Sequence, residues 1–126
     1  MPDAKQHYLA GLKLFGAKQH EAAIAEYDLA LAERPDWVDV LLAKATCQSN
    51  LGHHEQALAT VRRVIELTPD DAMAYTSLSI FLQRMNRIED AEAAQAKARM
   101  ISWKEELKTN PKAPPPEDPK GIRVVQ

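Results

Sequence analysis

The sequence predicts an all-α fold, a right-handed α-solenoid of three helix–turn–helix hairpins, and two observations predict it. First, three columns of identical residues recur every 34 residues: Glu21, Glu55 and Glu89; Ala23, Ala57 and Ala91; Ala25, Ala59 and Ala93. A fixed period of roughly 20–50 residues indicates stacked units, each burying its apolar face against its neighbours. Second, apolar residues within each unit recur with the helical period of about 3.6 residues.

The first two repeats are predicted over residues 4–37 and 38–71. The apolar residues expected in the first repeat's helices are Tyr8, Leu9, Leu12 and Phe15, then Ala23, Ile24, Tyr27, Ala30 and Leu31. Asp36 is expected to cap the next helix, with Asp39 placed as in a capping box. Gly52 supplies the left-handed residue that ends that helix.

The third repeat is predicted over residues 72–108, which completes a domain over 1–108. Asp70 and Asp71 are expected to cap its first helix, and Asn86 to take the left-handed conformation. Nothing interrupts its second helix, which is predicted to continue to about Lys108. Residues 109–126 are rich in proline and are predicted to form a disordered, flexible tail.

Small residues recur where the two helices of each hairpin must approach closely. Ala23, Ala57 and Ala91 are therefore expected to face the small residues Gly11, Ala45 and Ser79. A large side chain at one of these alanines would overpack the contact and cost about 1–3 kcal/mol.

Taken together, these recurring residues resemble the pattern of the tetratricopeptide repeat family over about residues 4–103. The matching positions are Gly11, Leu14, Ala23, Ala30 and Pro35; Ala45, Ala57, Val64 and Pro69; Ser79, Leu82, Ala91 and Ala98. Three residues depart from the family pattern: Gln48, Gln95 and Lys18, the last in a glycine slot, where Gly16 is expected to end the helix earlier. The resemblance implies a protein-binding solenoid.

Composition excludes several classes of function. A net charge of −2 and a pI near 6.1 provide no basic surface for nucleic acid or a membrane. One cysteine, Cys47, excludes an internal disulfide. The first residues lack an apolar segment, so neither a signal peptide nor an anchor is expected, and the predicted location is cytoplasmic.

No catalytic motif is found in the sequence, so we predict a protein that is not an enzyme and needs no cofactor or metal. Cys47 falls in mid-helix and is expected to be structural. His20 and His54 occupy equivalent slots, but stacked helices lie about 8–10 Å apart, too far for a shared ion.

The resemblance implies a concave groove lined by the first helix of each repeat. The predicted partner-binding residues are Lys5, Tyr8, Leu12, Asp39, Leu42, Thr46, Met73, Thr76 and Ile80. The family's carboxylate clamp is absent, because its slots hold Tyr8, Leu12, Ala43, Met73 and Ser77. We therefore predict an apolar peptide or helix as partner, with Asp39 and Thr76 fixing its register by hydrogen bonds. The alternative is that the apolar residues pack between repeats.

A second surface is predicted on the last helix, where Met100, Trp103 and Leu107 share one side. These residues are candidates for a homodimer interface, so a self-assembling structural unit is the alternative function. The other explanation is local, namely that they pack under the tail or against the third repeat. The tail is also a candidate occupant of the groove.

Overall fold

The computed structural model describes residues 2–116, and this part of the chain contains six α-helices and no strand. The helices are α1 (Ala4–Gly16), α2 (His20–Glu33), α3 (Val38–Asn50), α4 (His54–Leu67), α5 (Ala72–Arg84) and α6 (Ile88–Thr109). They pair as hairpins, α1 with α2, α3 with α4, and α5 with α6. The predicted all-α fold of three hairpins is confirmed.

The hairpins divide between two compact units. Unit 1 extends to Pro69 and contains α1 to α4, and unit 2 begins at Asp70 and contains α5 and α6. In unit 1, α2 also packs against α3, so the first two hairpins share one apolar core. None of the described helices is both long and apolar enough to cross a membrane.

The first helix of every repeat ends in the same way. α1, α3 and α5 end at residues spaced 34 apart, and the second residue beyond each end has a positive φ. These turn residues are Lys18 at 61°, Gly52 at 83° and Asn86 at 60°. The predicted roles of Gly52 and Asn86 are confirmed. The expectation that Gly16 ends α1 earlier than the repeat pattern is wrong, because α1 ends at the position equivalent to the ends of α3 and α5 and Lys18 itself takes the positive φ. Lys18 adopts the left-handed backbone conformation, which residues other than Gly, Asn and Asp rarely adopt.

Side-chain caps begin two of these helices. Asp3 forms a capping box with Gln6, with distances of 2.8 and 2.9 Å. Asp71 accepts a hydrogen bond from the Met73 amide at 2.9 Å, which confirms it as the cap of α5.

The predicted cap at Asp36 is wrong. Trp37 is the last extended residue before α3 and provides no side-chain cap, so Asp36 lies one position too early to reach the free amides. Its carboxylate instead accepts a hydrogen bond from Arg63 at 3.0 Å. The turn that follows Pro35 is one residue longer than a cap at Asp36 would require.

The core of unit 1 is centred on Tyr27, which is fully buried. Its ring lies against Gly11, where an added Cβ atom would approach the ring's Cε1 atom to 2.3 Å. The side chain nearest to Gly11 is thus the ring of Tyr27, and the expectation that Ala23 faces Gly11 stays a prediction. The small residue at this position accommodates an aromatic ring.

In unit 2, α6 is 22 residues long and continues past the length of α2 and α4, as predicted. After it, residues 110–116 form a strap, and Trp103 donates its indole Nε1–H to the Ala113 carbonyl oxygen at 3.0 Å. Ala113 is 5% exposed. Residues 117–126, most of the predicted flexible tail, lie outside the described residues, so flexibility there stays a prediction.

Candidate functional site

The predicted binding residues of α1 lie on one side of the helix, because positions 5, 8 and 12 follow the helical period. Lys5 is exposed, and Leu12 keeps 41% of its surface exposed although it is a large apolar residue. Tyr8 is only half-buried, and its ring lies 4.9 Å from that of Trp37 and 6.2 Å from that of Tyr27. Tyr8 thus joins the exposed face of α1 to the core.

The residues next to Tyr8 combine aromatic rings with a cation at this end of unit 1. Arg34 places its guanidinium 3.9 Å from the centre of the Trp37 ring, within cation–π distance. Burial raises the pKa of Tyr8, and the nearby Asp39 carboxylate raises it further. The phenol therefore stays protonated at neutral pH and can donate a hydrogen bond.

On α3, the equivalent slots are less apolar. Asp39 is exposed, whereas Leu42 and Thr46 are half-buried. Thr46 donates its hydroxyl hydrogen to the Leu42 carbonyl oxygen at 3.0 Å, within its own helix. Unit 1 therefore presents Leu12 as its most exposed predicted apolar contact, with Tyr8 and Leu42 partly accessible beside it.

On α5 of unit 2, the predicted residues are more exposed. Met73 is 69% exposed and Ile80 is 41% exposed. Thr76 donates its hydroxyl hydrogen to the Ala72 carbonyl oxygen at 3.1 Å, so for a partner this hydroxyl is available mainly as an acceptor. Its role in fixing register stays a prediction, in which the hydroxyl oxygen would accept the hydrogen bond because the helix backbone already uses its one donor.

Sequence reasoning missed Leu9, which is 52% exposed. The helical period places it between Lys5 and Leu12 on the same side of α1. It is named among the apolar residues of the first helix but not among the predicted binding residues. The signal that could have identified it is the repeat frame, because its equivalents, Ala43 and Ser77, occupy positions of the family's carboxylate clamp.

The histidines show no arrangement suited to a metal. Among residues 2–116, no three His, Cys, Asp or Glu side chains are grouped as metal ligands. The ring of His20 packs edge-on against Phe15 at 5.5 Å. The Nδ1 atoms of His20 and His54 are both buried without a hydrogen-bond partner, at the first residues of α2 and α4.

Cys47 is fully buried on α3, and burial raises the pKa of its thiol to about 11. A buried neutral thiol is a packing group rather than a nucleophile. The raised value also makes stability depend on pH. Between pH 9 and about 11 the unfolded chain releases the thiol proton while the folded chain keeps it. The free energy of unfolding must therefore fall as the pH rises through this range.

We expect unfolding experiments in urea to show this loss of stability, amounting to about 1 kcal/mol for Cys47 at pH 10. Tyr8 and Tyr27 also have raised pKa values and contribute at higher pH. The control is Cys47→Ala, which removes the thiol and leaves both tyrosines. Between pH 8 and 10 this variant should lose less stability than the wild type, and equal losses would contradict the assignment.

The second predicted surface, Met100, Trp103 and Leu107, consists of half-buried residues on α6. The indole of Trp103 is bonded to the strap through Ala113. This contact supports the local explanation for Trp103, in which it packs under the chain that follows α6. The homodimer interface stays a prediction.

Comparison with known proteins identifies the repeat. The family model described as tetratricopeptide repeat matches residues 14–79, just over half of the chain. A curated relative, serine/threonine-protein phosphatase T from Trypanosoma brucei brucei, is 31% identical over 67 residues. That alignment covers 53% of this chain but only 14% of the phosphatase.

Solved structures share the fold at low sequence identity. The Sgt2 TPR domain from Aspergillus fumigatus has a TM-score of 0.75 at 20% identity, covering 100% of this chain and 90% of that domain. MamA has a TM-score of 0.77 at 21% identity, covering 82% of this chain and 61% of its own. YrrB, described as a TPR protein with an unusual peptide-binding site, has a TM-score of 0.77 at 21% identity, with coverages of 89% and 58%.

Proposed function

Because the chain belongs to the tetratricopeptide repeat family, we propose that it is a non-enzymatic protein-interaction adaptor. Each unit has its own binding surface, on α1 and α3 in unit 1 and on α5 in unit 2, and the partner is an apolar peptide or an apolar helix face. The observation that carries the proposal is the exposure of large apolar side chains on these helices. Leu12, Met73 and Ile80 are 41%, 69% and 41% exposed.

The position of these side chains supports contact with a partner. Leu12 and Ile80 occupy equivalent positions of α1 and α5, and Met73 occupies the position equivalent to Lys5, although nothing in a packed repeat requires an apolar residue to stay exposed. Apolar surface of this kind on a folded protein marks interaction sites. An apolar segment bound to either of these helices would remove its exposed side chains from water, which favours binding by about 25 cal/mol for each Å² of apolar surface that it buries.

Charge adds selectivity to this apolar surface. Lys5 on α1 and Asp39 on α3 are exposed at equivalent slots and carry opposite charges. Unit 1 therefore has no net charge at these positions, which suits an apolar segment better than an acidic tail. Peptide binding by a fold of this kind is also what the description of YrrB states of that protein.

The proposal is tested with Leu12→Glu, which places a charge on the exposed face of α1. Its matched control is Leu29→Glu on α2, where the leucine is 51% exposed and lies outside the predicted surface. Both proteins serve as bait for capture from lysate, with identification by mass spectrometry, and the captured segment is then titrated by calorimetry. We expect Leu12→Glu to weaken binding more than tenfold, about 1.4 kcal/mol or more, because burying an unpaired carboxylate is costly.

Leu29→Glu should bind like the wild type, and both variants should keep the wild-type circular dichroism spectrum and melting temperature within a few degrees. Equal binding by a folded Leu12→Glu protein would remove α1 from the binding surface. Equal weakening by both variants would show a nonspecific effect of added charge and would likewise contradict the proposal.

A further inference from the structure

Unit 2 contains a cavity of about 350 Å³ between α6 and the strap. The strap is held against α6 by the hydrogen bond from Trp103 to Ala113 and by burial of the Ala113 side chain. Small-molecule sites measure roughly 300–1,000 Å³, so this cavity has room for one or two residues of a peptide but not for a helix. The residues lining it include Arg99, Ser102, Trp103, Glu106, Pro114 and Pro116.

The guanidinium of Arg99 is the unusual group of this cavity. Its Nε and Nη2 atoms are both buried and have no hydrogen-bond partner among residues 2–116. Buried donors of a charged group are costly to leave unpaired, so these two nitrogens point to a ligand as the missing acceptor. They lie on the same edge of the planar guanidinium, and that edge can donate two parallel hydrogen bonds to the two oxygens of one anionic group.

The charges that line the cavity favour a carboxylate over a phosphate. Arg99 contributes one positive charge, and Glu106, which is exposed on α6, contributes one negative charge. The Glu106 carboxylate does not bond to Nε or Nη2 of Arg99. A phosphate group carries a charge of about −1.5 to −2 at pH 7, so a single arginine would leave part of that charge unpaired beside Glu106. A carboxylate carries one charge, which one guanidinium neutralises.

The other walls of the cavity favour an apolar group next to that carboxylate. The rings of Trp103, Pro114 and Pro116 line it. The indole N–H of Trp103 is already bonded to Ala113, so its ring offers apolar surface and no further donor. Ser102 also lines the cavity, and its hydroxyl can donate a hydrogen bond to an oxygen of the ligand.

We propose that this cavity binds a carboxylate that carries a short apolar group, and that Arg99 donates to both carboxylate oxygens through Nε and Nη2. Two carriers have this chemistry, namely the last residue of a peptide and a small free acid. The site is separate from the family's carboxylate clamp, because the clamp positions on α5, Met73 and Ser77, do not line the cavity. It is also independent of the function proposed above, because its carboxylate-binding group lies on α6.

Entry of the ligand requires a movement of the protein. Solvent does not reach the Nε and Nη2 atoms of Arg99, so a neighbouring group must move before a carboxylate can contact them. The strap is the wall of the cavity that does not belong to a helix. Segments outside helices open at a lower free energy than packed helices, so we expect the strap to move when the ligand binds.

The site is tested with the full chain and two acids that carry the same side chain. One is acetyl-glycyl-leucine with its free carboxylate, and the other is isocaproate, which is leucine without its amino group. Each acid has its own amide as the matched control, with the same shape and no charge. Binding is followed at constant ionic strength in proton–nitrogen NMR spectra, through the Nε–H signal of Arg99 and the indole N–H signal of Trp103.

We expect at least one acid to shift both signals, and its amide to bind at least about tenfold more weakly, because an amide is uncharged and has only one oxygen for the two donors. If the peptide binds at least about tenfold more tightly than isocaproate, the carrier is the end of a peptide chain. Any other ratio assigns the site to small free acids. Unshifted signals with both acids, or an amide that binds as well as its acid, would overturn the proposal.

Variants test the role of Arg99 through the Trp103 signal. Arg99→Gln should weaken binding of the acid at least about tenfold, and Arg99→Lys should also weaken it, because lysine keeps the charge but lacks an edge with two donors. The control is Arg87→Gln in the same unit, where an exposed arginine pairs with Asp90 at 2.9 Å outside the cavity. It should bind like the wild type. Wild-type affinity in Arg99→Gln, or equal weakening in Arg87→Gln, would contradict the assignment.

A second measurement needs no ligand. Arg99→Met keeps an unbranched apolar stem and removes the buried unpaired donors. Because a group that is kept for a ligand costs stability while the site is empty, the urea midpoint of Arg99→Met should lie at or above that of the wild type. A midpoint clearly below the wild-type value would show that Arg99 stabilises the folded chain by itself, which would overturn its assignment as a ligand-binding group.

Discussion

Truncation of Phe81 to alanine is expected to lower the free energy of unfolding by about 3–5 kcal/mol. Phe81 lies on α5, is 2% exposed and is among the largest buried side chains of the described residues. Its removal loses the transfer free energy of a whole aromatic ring and leaves a cavity that the surrounding helices fill only partly. Native proteins are stable by about 5–15 kcal/mol, so this loss is a large fraction of the total.

The measurement is urea unfolding followed by circular dichroism at 222 nm, a wavelength that reports helix content. The matched control is Met73→Ala on the same helix, where the side chain is 69% exposed and truncation should change stability by less than about 0.5 kcal/mol. Similar unfolding midpoints for the two variants would contradict the assignment of Phe81 to the core.

Alanine in place of Gly11 is expected to destabilise the protein by about 1–3 kcal/mol. Helix propensity alone predicts the opposite, since alanine is favoured over glycine by about 1 kcal/mol in a helix interior. The added methyl group would lie 2.3 Å from Cε1 and 2.6 Å from Cδ1 of the Tyr27 ring. Tyr27 is fully buried, so its ring can move away from the methyl group only by displacing the atoms packed around it. The steric cost therefore exceeds the gain in propensity.

Gly16→Ala is the control, because nothing lies within 4 Å of the methyl group there. The second repeat suggests a substitution that should restore the stability lost in Gly11→Ala. It has Ala45 and Val61 where the first has Gly11 and Tyr27, so Gly11→Ala should cost much less in a Tyr27→Val background. Urea unfolding of the four proteins forms a double-mutant cycle. Equal costs of Gly11→Ala in the two backgrounds would show that the ring is not what the methyl group meets.

Most of the secondary structure could be predicted from the sequence because the repeat presents each signal more than once. The turns at Gly52 and Asn86 and the long α6 follow from local chemistry that needs no knowledge of distant residues. The cap at Asp36 failed because the path of the chain after Pro35 depends on where Trp37 packs. Trp37 contacts Tyr8, which lies 29 residues earlier in the sequence.

The sequence could predict which repeat positions form the candidate site, but not how exposed each side chain is. The repeat frame placed Lys5, Leu12, Met73 and Ile80 on the first helices, but it could not tell exposed from half-buried side chains. Tyr8 stands at a predicted binding position and yet packs against Tyr27 and Trp37. Leu9, which was not among the predicted binding residues, is 52% exposed. Burial is decided by neighbours from other helices, and the period of a single helix carries no record of them.

The sequence by itself determined the helical repeat, its 34-residue period and the absence of a recognisable catalytic motif, because each depends on the kind and spacing of residues along the chain. Only the tertiary structure decided that Gly11 accommodates the Tyr27 ring, that Trp103 holds Ala113, and that two nitrogens of Arg99 are buried without a partner. The physical reason is that these contacts join side chains from different elements. Their distances are set by how the helices and the strap pack, which the local pattern of either element does not specify.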